Sequence, residues 1–121
     1  MYSRSNLIVS PLPDGKHWKT EADFEVNIDG FRIKYILIEP DFVFDFASTP
    51  RFLWSIFPPA TGKYTIPATV HDYLYKTKRL ARKEADDIFL YLMEQEGVTL
   101  WKRYVLYLGV RLFGGKYYDA V

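Results

Sequence analysis

Two predicted helices carry the residues whose types and spacing could support acid–base chemistry. The first contains His71 and, one turn later on the same face, Tyr75; the second contains Asp86. His71 and Asp86 lie equally far from the centre of the basic turn that joins the helices, so an antiparallel pair would bring them level. A carboxylate on one imidazole nitrogen would leave the other nitrogen to take a proton from water. We therefore predict a candidate catalytic group of His71, Asp86 and Tyr75.

The same residues also have a purely structural interpretation. A histidine–aspartate pair between packed helices is often a satisfied buried polar contact, and Asp86 in a first helical turn is favoured by the helix dipole. An imidazole in an open cleft would favour catalysis, whereas a buried ring with both nitrogens bonded would favour a structural role. Ser48 together with His71 and Asp86 has the composition of a hydrolase triad, although Ser48 is also explained as a helix cap.

Composition limits the classes of protein to be considered. The 121 residues predict one domain, 1–121, with 49% hydrophobic and 26% charged residues, as in soluble globular proteins. The absence of cysteine excludes disulfide scaffolds, thiolate metal sites and cysteine nucleophiles. A net charge of +1 gives no broad electrostatic argument for a nucleic-acid partner. We expect neither a secretory signal nor a membrane span, and a location in the cytosol or in a particle assembled there.

Strand patterns dominate the first part of the chain. Alternating hydrophobic residues predict a hairpin over about 23–38, with Asp29-Gly30 as its type I′ turn and Phe31, Ile33, Tyr35 and Leu37 continuing the alternation. Short strands are predicted at 7–9 and 42–44, which together with the hairpin would form a small antiparallel sheet.

Helix signals dominate the remainder. They predict a short helix from Ser48 or Thr49 to Phe57, then helices over about 66–77, 81–96 and 99–113, the last closed by Gly114-Gly115. The predicted fold class is therefore α+β: a small antiparallel sheet with an N-terminal hairpin, followed by four helices with a central antiparallel pair.

The last predicted helix is hydrophobic on almost every side, which requires more cover than a small domain provides. Aromatic residues make up 18% of the chain, and large rings anchor interfaces as well as fill cores. We expect burial within the monomer or an interface with a partner or a second copy. The candidate interface residues are Trp101, Tyr104, Leu108, Phe113 and Tyr117.

One family resemblance covers roughly residues 41–97. The stretches Phe44–Arg51, Pro58-Pro59, Gly62–Tyr64, His71–Tyr75 and Ala85–Phe89 resemble DUF1353, an uncharacterised family of tailed phages and prophages. This resemblance implies a small structural or assembly component of the virion or tail, found in the virion or the host cytoplasm. Its implied partners are other virion proteins or further copies of itself.

A second resemblance concerns mechanism. His-Asp-x-x-Tyr followed by Ala-Asp-x-x-Phe is similar to the active-site helices of phospholipases A2. It implies a small hydrolase acting on lipid or ester bonds during host entry or lysis. His71 would be the base, Asp72 the calcium ligand, and Tyr75 and Asp86 supporting hydrogen-bond partners. The chain departs from that pattern because residues 58–64 contain a single glycine, whereas those enzymes use a glycine-rich loop to complete the calcium site.

Overall fold

The computed structural model describes residues 2–54 and 62–119. The chain divides into two compact units, residues 1–45 and residues 46–121. Strands lie in the first unit and helices in the second, which confirms the α+β class. The expectation of one domain over residues 1–121 stays a prediction.

From residue 2 onward, the first unit contains six short strands in two antiparallel sheets, where the sequence had predicted one sheet. Their order is β1–β4–β5 in one sheet and β2–β3–β6 in the other. The strands are β1 (Ser3–Arg4), β2 (Val9–Pro11), β3 (Trp18–Thr20), β4 (Phe24–Asn27), β5 (Tyr35–Ile38) and β6 (Val43–Phe44).

The predicted hairpin is confirmed as β4 and β5, but the predicted two-residue turn is wrong. Asn27 pairs with Tyr35, so residues 28–34 form the connection, with Gly30 in the left-handed region at φ 91°. The longer connection reverses which side chains of β5 face inward, because residues opposite each other in a register share a face. Ile36 and Ile38 are therefore buried opposite Val26 and Phe24, in place of Tyr35 and Leu37.

The described residues of the second unit, 46–54 and 62–119, contain four α-helices. They are α1 (Thr65–Thr77), α2 (Arg82–Gln95), α3 (Leu100–Phe113) and α4 (Gly115–Asp119). The three long helices match the predicted ones within two residues. The predicted helix from Ser48 is a single 3-10 turn over Arg51–Leu53, and residues 55–57 lie outside the described residues. Gly114 ends α3 as predicted, yet the chain turns at once into α4.

Backbone conformation at two positions fixes the ends of the central helices. Lys78 adopts the left-handed conformation at φ 52° and closes α1 by donating its N–H to the Leu74 carbonyl. Gly97 follows α2 at φ 89°, where a residue without Cβ is favoured. The helices enclose a hydrophobic core of Leu53, Phe89, Met93, Val98, Leu106 and Val110. Within the described residues, no helix has the length and hydrophobicity needed to span a bilayer.

Candidate functional site

The predicted contact between the two central helices is present. His71 on α1 places Nε2 2.6 Å from Oδ1 of Asp86 on α2, and both side chains are 0% exposed. The imidazole lies between two rings, with centroid distances of 4.2 Å to Tyr75 and 4.6 Å to Phe89. The equal spacing of His71 and Asp86 from the turn therefore located their contact correctly.

Asp86 is held by three side chains from two helices besides its own. Tyr75 donates its hydroxyl to Oδ1 at 2.6 Å, and Arg111 of α3 donates to Oδ2 at 2.8 Å. Because a buried carboxylate is stable only when it is paired and hydrogen-bonded, these donors explain how Asp86 is accommodated without solvent.

The surroundings shift the acid–base properties of this group. Burial by itself would raise the pKa of Asp86, but the hydrogen bond and charge of His71, with the donors Tyr75 and Arg111, outweigh it and lower that pKa. Burial and the neighbouring Asp86 carboxylate raise the pKa of Tyr75 far above its ordinary value. Asp86 is thus held as a carboxylate and Tyr75 as a neutral hydroxyl donor.

Arg82 connects this group to the end of α3. Its guanidinium donates to the carbonyls of Val110 and Arg111 at 2.8 and 2.5 Å, and its Nε reaches the Tyr75 hydroxyl at 3.4 Å. The last carbonyls of a helix lack partners within the helix, so a cation there satisfies them and complements the helix dipole.

The second nitrogen of His71 contacts Ser48, which the sequence left open between a helix cap and a triad member. Ser48 Oγ lies 2.8 Å from His71 Nδ1 and also donates to Asp72 Oδ1, which accepts the Ser48 backbone N–H at 3.1 Å. The 3-10 turn that follows begins after Pro50 and has no side-chain cap. The cap interpretation is therefore wrong, and Ser48 links Asp72 to His71.

The contacts of the two ring nitrogens limit what the ring can do. Nε2 donates to Asp86, because Asp86 is a carboxylate that also accepts from Tyr75. Nδ1 is in contact with Ser48 Oγ, so both ring nitrogens have a protein partner. In this arrangement neither nitrogen faces a substrate or water from which it could take a proton.

Burial also bears on catalysis. Ser48 and Asp72 are nearly as buried as His71 and Asp86, at 4% and 2% exposure. A buried ring with both nitrogens bonded favours a structural role, and His71 has these features. The catalytic assignment of His71, Asp86 and Tyr75 stays a prediction.

The residues around Asp72 do not fit a calcium ion. Asp72 is buried and engaged by Ser48, and within residues 2–54 and 62–119 no three histidine, cysteine, aspartate or glutamate side chains are grouped to hold a metal. Calcium takes six to eight oxygen ligands in proteins. Of the loop compared with a calcium-binding loop, residues 58–61 lie outside the described residues. We assign no reaction step to calcium.

The other histidine of the chain lies in the first unit and makes a local contact. His17 Nδ1 is 2.6 Å from Asp14 Oδ2 in the turn between β2 and β3. Backbone N–H groups of His17 and Lys16, followed by the His17 ring, lower the pKa of Asp14 to about 2. This pair is an exposed turn contact.

The predicted interface residues lie on and after α3. Trp101, Tyr104, Leu108 and Phe113 are exposed, and Tyr117 on α4 is half-buried. Phe113 contacts Phe52 of the 3-10 turn edge to face, at 5.5 Å between ring centroids. Their role as an interface stays a prediction.

Sequence reasoning missed two members of the buried network, Arg111 and Arg82. Arg111 interrupts a hydrophobic run near the end of α3. Because charged side chains are seldom placed among hydrophobic residues without a partner, this arginine could have indicated a buried carboxylate such as Asp86. Arg82 lies beside the basic turn that joins the central helices, and no pattern along the sequence distinguishes it from the lysines nearby.

Comparison with known proteins gives one family. No curated protein and no solved structure matches the chain. A family model described as "Protein of unknown function (DUF1353)" matches residues 18–110, which extends the resemblance of residues 41–97 in both directions. The match takes in β3 to β6, α1, α2 and most of α3, and therefore every residue of the buried network except Arg111. The chain belongs to the DUF1353 family.

Proposed function

We propose that this chain is a structural or assembly component of a tailed-phage or prophage particle, associated with the virion or its tail. The observation that carries the proposal is the hydrophobic outer face of α3. Seven large side chains of that helix are between 39% and 72% exposed: Leu100, Trp101, Tyr104, Val105, Leu108, Leu112 and Phe113. Exposed hydrophobic surface of this extent is typical of protein contact sites.

The buried network supports a structural role for the histidine. His71 connects Ser48 and Asp72 on one side to Asp86 and the arginines on the other, without an exposed atom that a substrate could reach. Hydrogen-bonded side-chain networks in a buried environment make a core specific and rigid. In this proposal α1 and α2 form a stable scaffold, and α3 presents the contact surface to neighbouring particle proteins or to further copies of the chain.

The test is the protein content of purified particles. The chain should be found by mass spectrometry in particles from cells that carry the encoding phage or prophage, at a constant ratio to the major particle proteins through successive purification steps. Leu108→Asp, which places a charge on the outer face of α3, should reduce incorporation. Gln95→Asp, at an exposed position of α2, is the matched control and should not. Absence of the wild-type chain from particles would refute the proposal.

A second candidate is a small hydrolase of phospholipase A2-like type. It is favoured by the connection of Asp86 to Nε2 of the imidazole, with Tyr75 on the same carboxylate. In this candidate His71 is the base that activates water, and the bonds hydrolysed are lipid or ester bonds. It requires Ser48 Oγ to move away from Nδ1, and the covering side chains to open, so that water can reach the ring.

The hydrolase candidate is tested with ester and phospholipid substrates in the presence and absence of added calcium. Activity above that of the His71→Ala protein would support it. Equal background rates for both proteins, in both conditions, would end it. A folded-state spectrum of His71→Ala must accompany the assay, because loss of this buried ring also affects stability.

A further inference from the structure

Helix α3 is hydrophobic on two opposite faces, and only one of them is used within its own unit. Leu106 and Val110 are buried in the core of the second unit, whereas the opposite side of the helix is open. On that side each of five residues has another of the five three or four positions away, so they form one continuous stripe. We call them the α3 stripe: Trp101, Tyr104, Val105, Leu108 and Leu112.

The exposed area reaches the lower end of what one side of a protein interface requires. An aromatic side chain carries about 150–250 Å², so the exposed parts of the stripe and of the adjoining Leu100 leave on the order of 600 Å². Specific interfaces bury about 600–1,000 Å² on each partner, whereas the largest hydrophobic patch on a typical monomer is about 300–600 Å².

The stripe has a layout that can pair with itself. Four of its five residues lie symmetrically about a midpoint between Leu106 and Tyr107, so an antiparallel copy brings Trp101 opposite Leu112 and Val105 opposite Leu108. A two-fold axis requires such a self-complementary patch, and residues at this spacing interdigitate between paired helices. The bulky Trp101 then meets the smaller Leu112 at both ends.

Charge does not oppose this pairing. Of the cations on α3, Arg111 is bound to Asp86 at 2.8 Å, and Arg103 is bound to the Val98 carbonyl at 3.0 Å with Glu94 at 3.4 Å. Lys102 lies over the Trp101 ring at 5.8 Å, on the flank of the stripe. An antiparallel arrangement places Lys102 near position 111 of the other copy, where the arginine is already neutralised within its own chain.

We infer that the α3 stripe is the contact surface of a homodimer in which two α3 helices pack antiparallel about a two-fold axis that passes midway between the levels of Val105 and Leu108. This inference rests on the proposed role of the outer face of α3 as a contact surface, and it names the partner as a second copy of the chain. The dimer would be the building unit that enters the particle.

The chain contains no cysteine, so introduced cysteines report contacts without background. Trp101→Cys and Leu112→Cys are made as separate single variants, mixed, and oxidised. The antiparallel model predicts a disulfide-linked dimer in the mixture and almost none in either variant alone. Each variant contains a single cysteine, so a disulfide can form only between two chains.

Sedimentation velocity over a concentration series gives an independent measurement. The wild-type chain should form a dimer, and Leu108→Asp should raise its dissociation constant roughly a hundredfold or more, because an unpaired carboxylate would be buried in the interface. Gln95→Asp should leave the dissociation constant unchanged. Far-ultraviolet circular dichroism of both variants shows that a change in association is not a loss of fold.

The outcomes separate this inference from the proposed function. A chain that stays monomeric at the highest soluble concentration, or a cross-link that forms in Trp101→Cys alone, would overturn the antiparallel dimer. A monomer that is nevertheless present in purified particles would overturn this inference and leave the proposed function standing. A dimer that forms as described but is absent from particles would uphold this inference and refute the proposed function.

Discussion

Asp86 Oδ1 lies 2.6 Å from Nε2 of His71, fifteen residues earlier in the chain, at a point where neither side chain has any exposed surface. The contact joins the two central helices through a polar bond inside a hydrophobic unit. Because the contact is buried, we expect it to contribute strongly to the free energy of unfolding. Leaving a buried charge without its partner destabilises a protein far more than leaving an exposed charge unpaired.

Removing the charge of Asp86 should strongly destabilise the chain. Asp86→Asn leaves His71 and Arg111 facing an amide in place of a carboxylate, and we expect a loss of about 3–5 kcal/mol in the free energy of unfolding. Urea denaturation at neutral pH measures it. The matched control is Asp87→Asn on the same helix, where a half-buried carboxylate accepts from Lys83 and Tyr107, and about 1 kcal/mol or less is expected. Equal losses in the two variants would contradict the buried pairing.

The pH dependence of stability should follow the lowered pKa of Asp86. A carboxyl group whose folded pKa lies below its unfolded value of about 3.9 adds stability that is fully present above that value. This stability is lost as the pH falls through the folded pKa. The difference between wild type and Asp86→Asn in the free energy of unfolding should therefore be constant between about pH 5 and 8 and shrink below about pH 4. If this difference in the free energy of unfolding grew below about pH 4, folding would raise the pKa of Asp86, which contradicts the prediction.

Ser48 should contribute to stability through both of its neighbours. Ser48→Ala removes the hydroxyl between Asp72 and the Nδ1 of His71, which leaves two buried polar groups without it. We expect a loss of about 1–3 kcal/mol in the free energy of unfolding. Ser10→Ala, whose hydroxyl bonds to Glu21 at an exposed site, should cost less than about 1 kcal/mol in the same denaturation experiment. If Ser48→Ala left the free energy of unfolding unchanged, the contacts of the Ser48 hydroxyl with Asp72 and His71 would contribute nothing to stability.

Gly109 should be coupled to Leu53. A Cβ at position 109 would lie 2.6 Å from Leu53 Cδ1, so the leucine would have to move within the core. Replacing glycine by alanine inside a helix is otherwise worth about 1 kcal/mol. Gly109→Ala should therefore be neutral or destabilising in the wild type and stabilising by up to about 1 kcal/mol in a Leu53→Ala background. A double-mutant cycle measures this coupling, and additive effects would contradict the close approach.

Much of the second unit was determined by the sequence alone. Hydrophobic spacing and the residues at helix ends located α1, α2 and α3 within two residues, because these signals are local. The short connection between α1 and α2 required an antiparallel pair, and counting from its centre brought His71, Tyr75 and Asp86 together. These predictions succeeded because a helix has a fixed rise and a fixed periodicity.

The remaining features were decided only by tertiary structure. Which side chains of β5 face inward depended on the length of the connection between β4 and β5, which is five residues longer than the predicted turn. Because side chains alternate between the two faces of a strand, changing the connection by an odd number of residues exchanges the inward and outward side chains. Ser48 and Arg111 reach His71 and Asp86 from 23 and 25 residues away, across segments whose lengths encode no distance. The burial of His71 distinguishes a structural role of the imidazole from a role as a catalytic base. This burial depends on side chains contributed by several elements at once. A sequence specifies which residues can carry such chemistry, but exposure and long-range pairing exist only after the elements have packed.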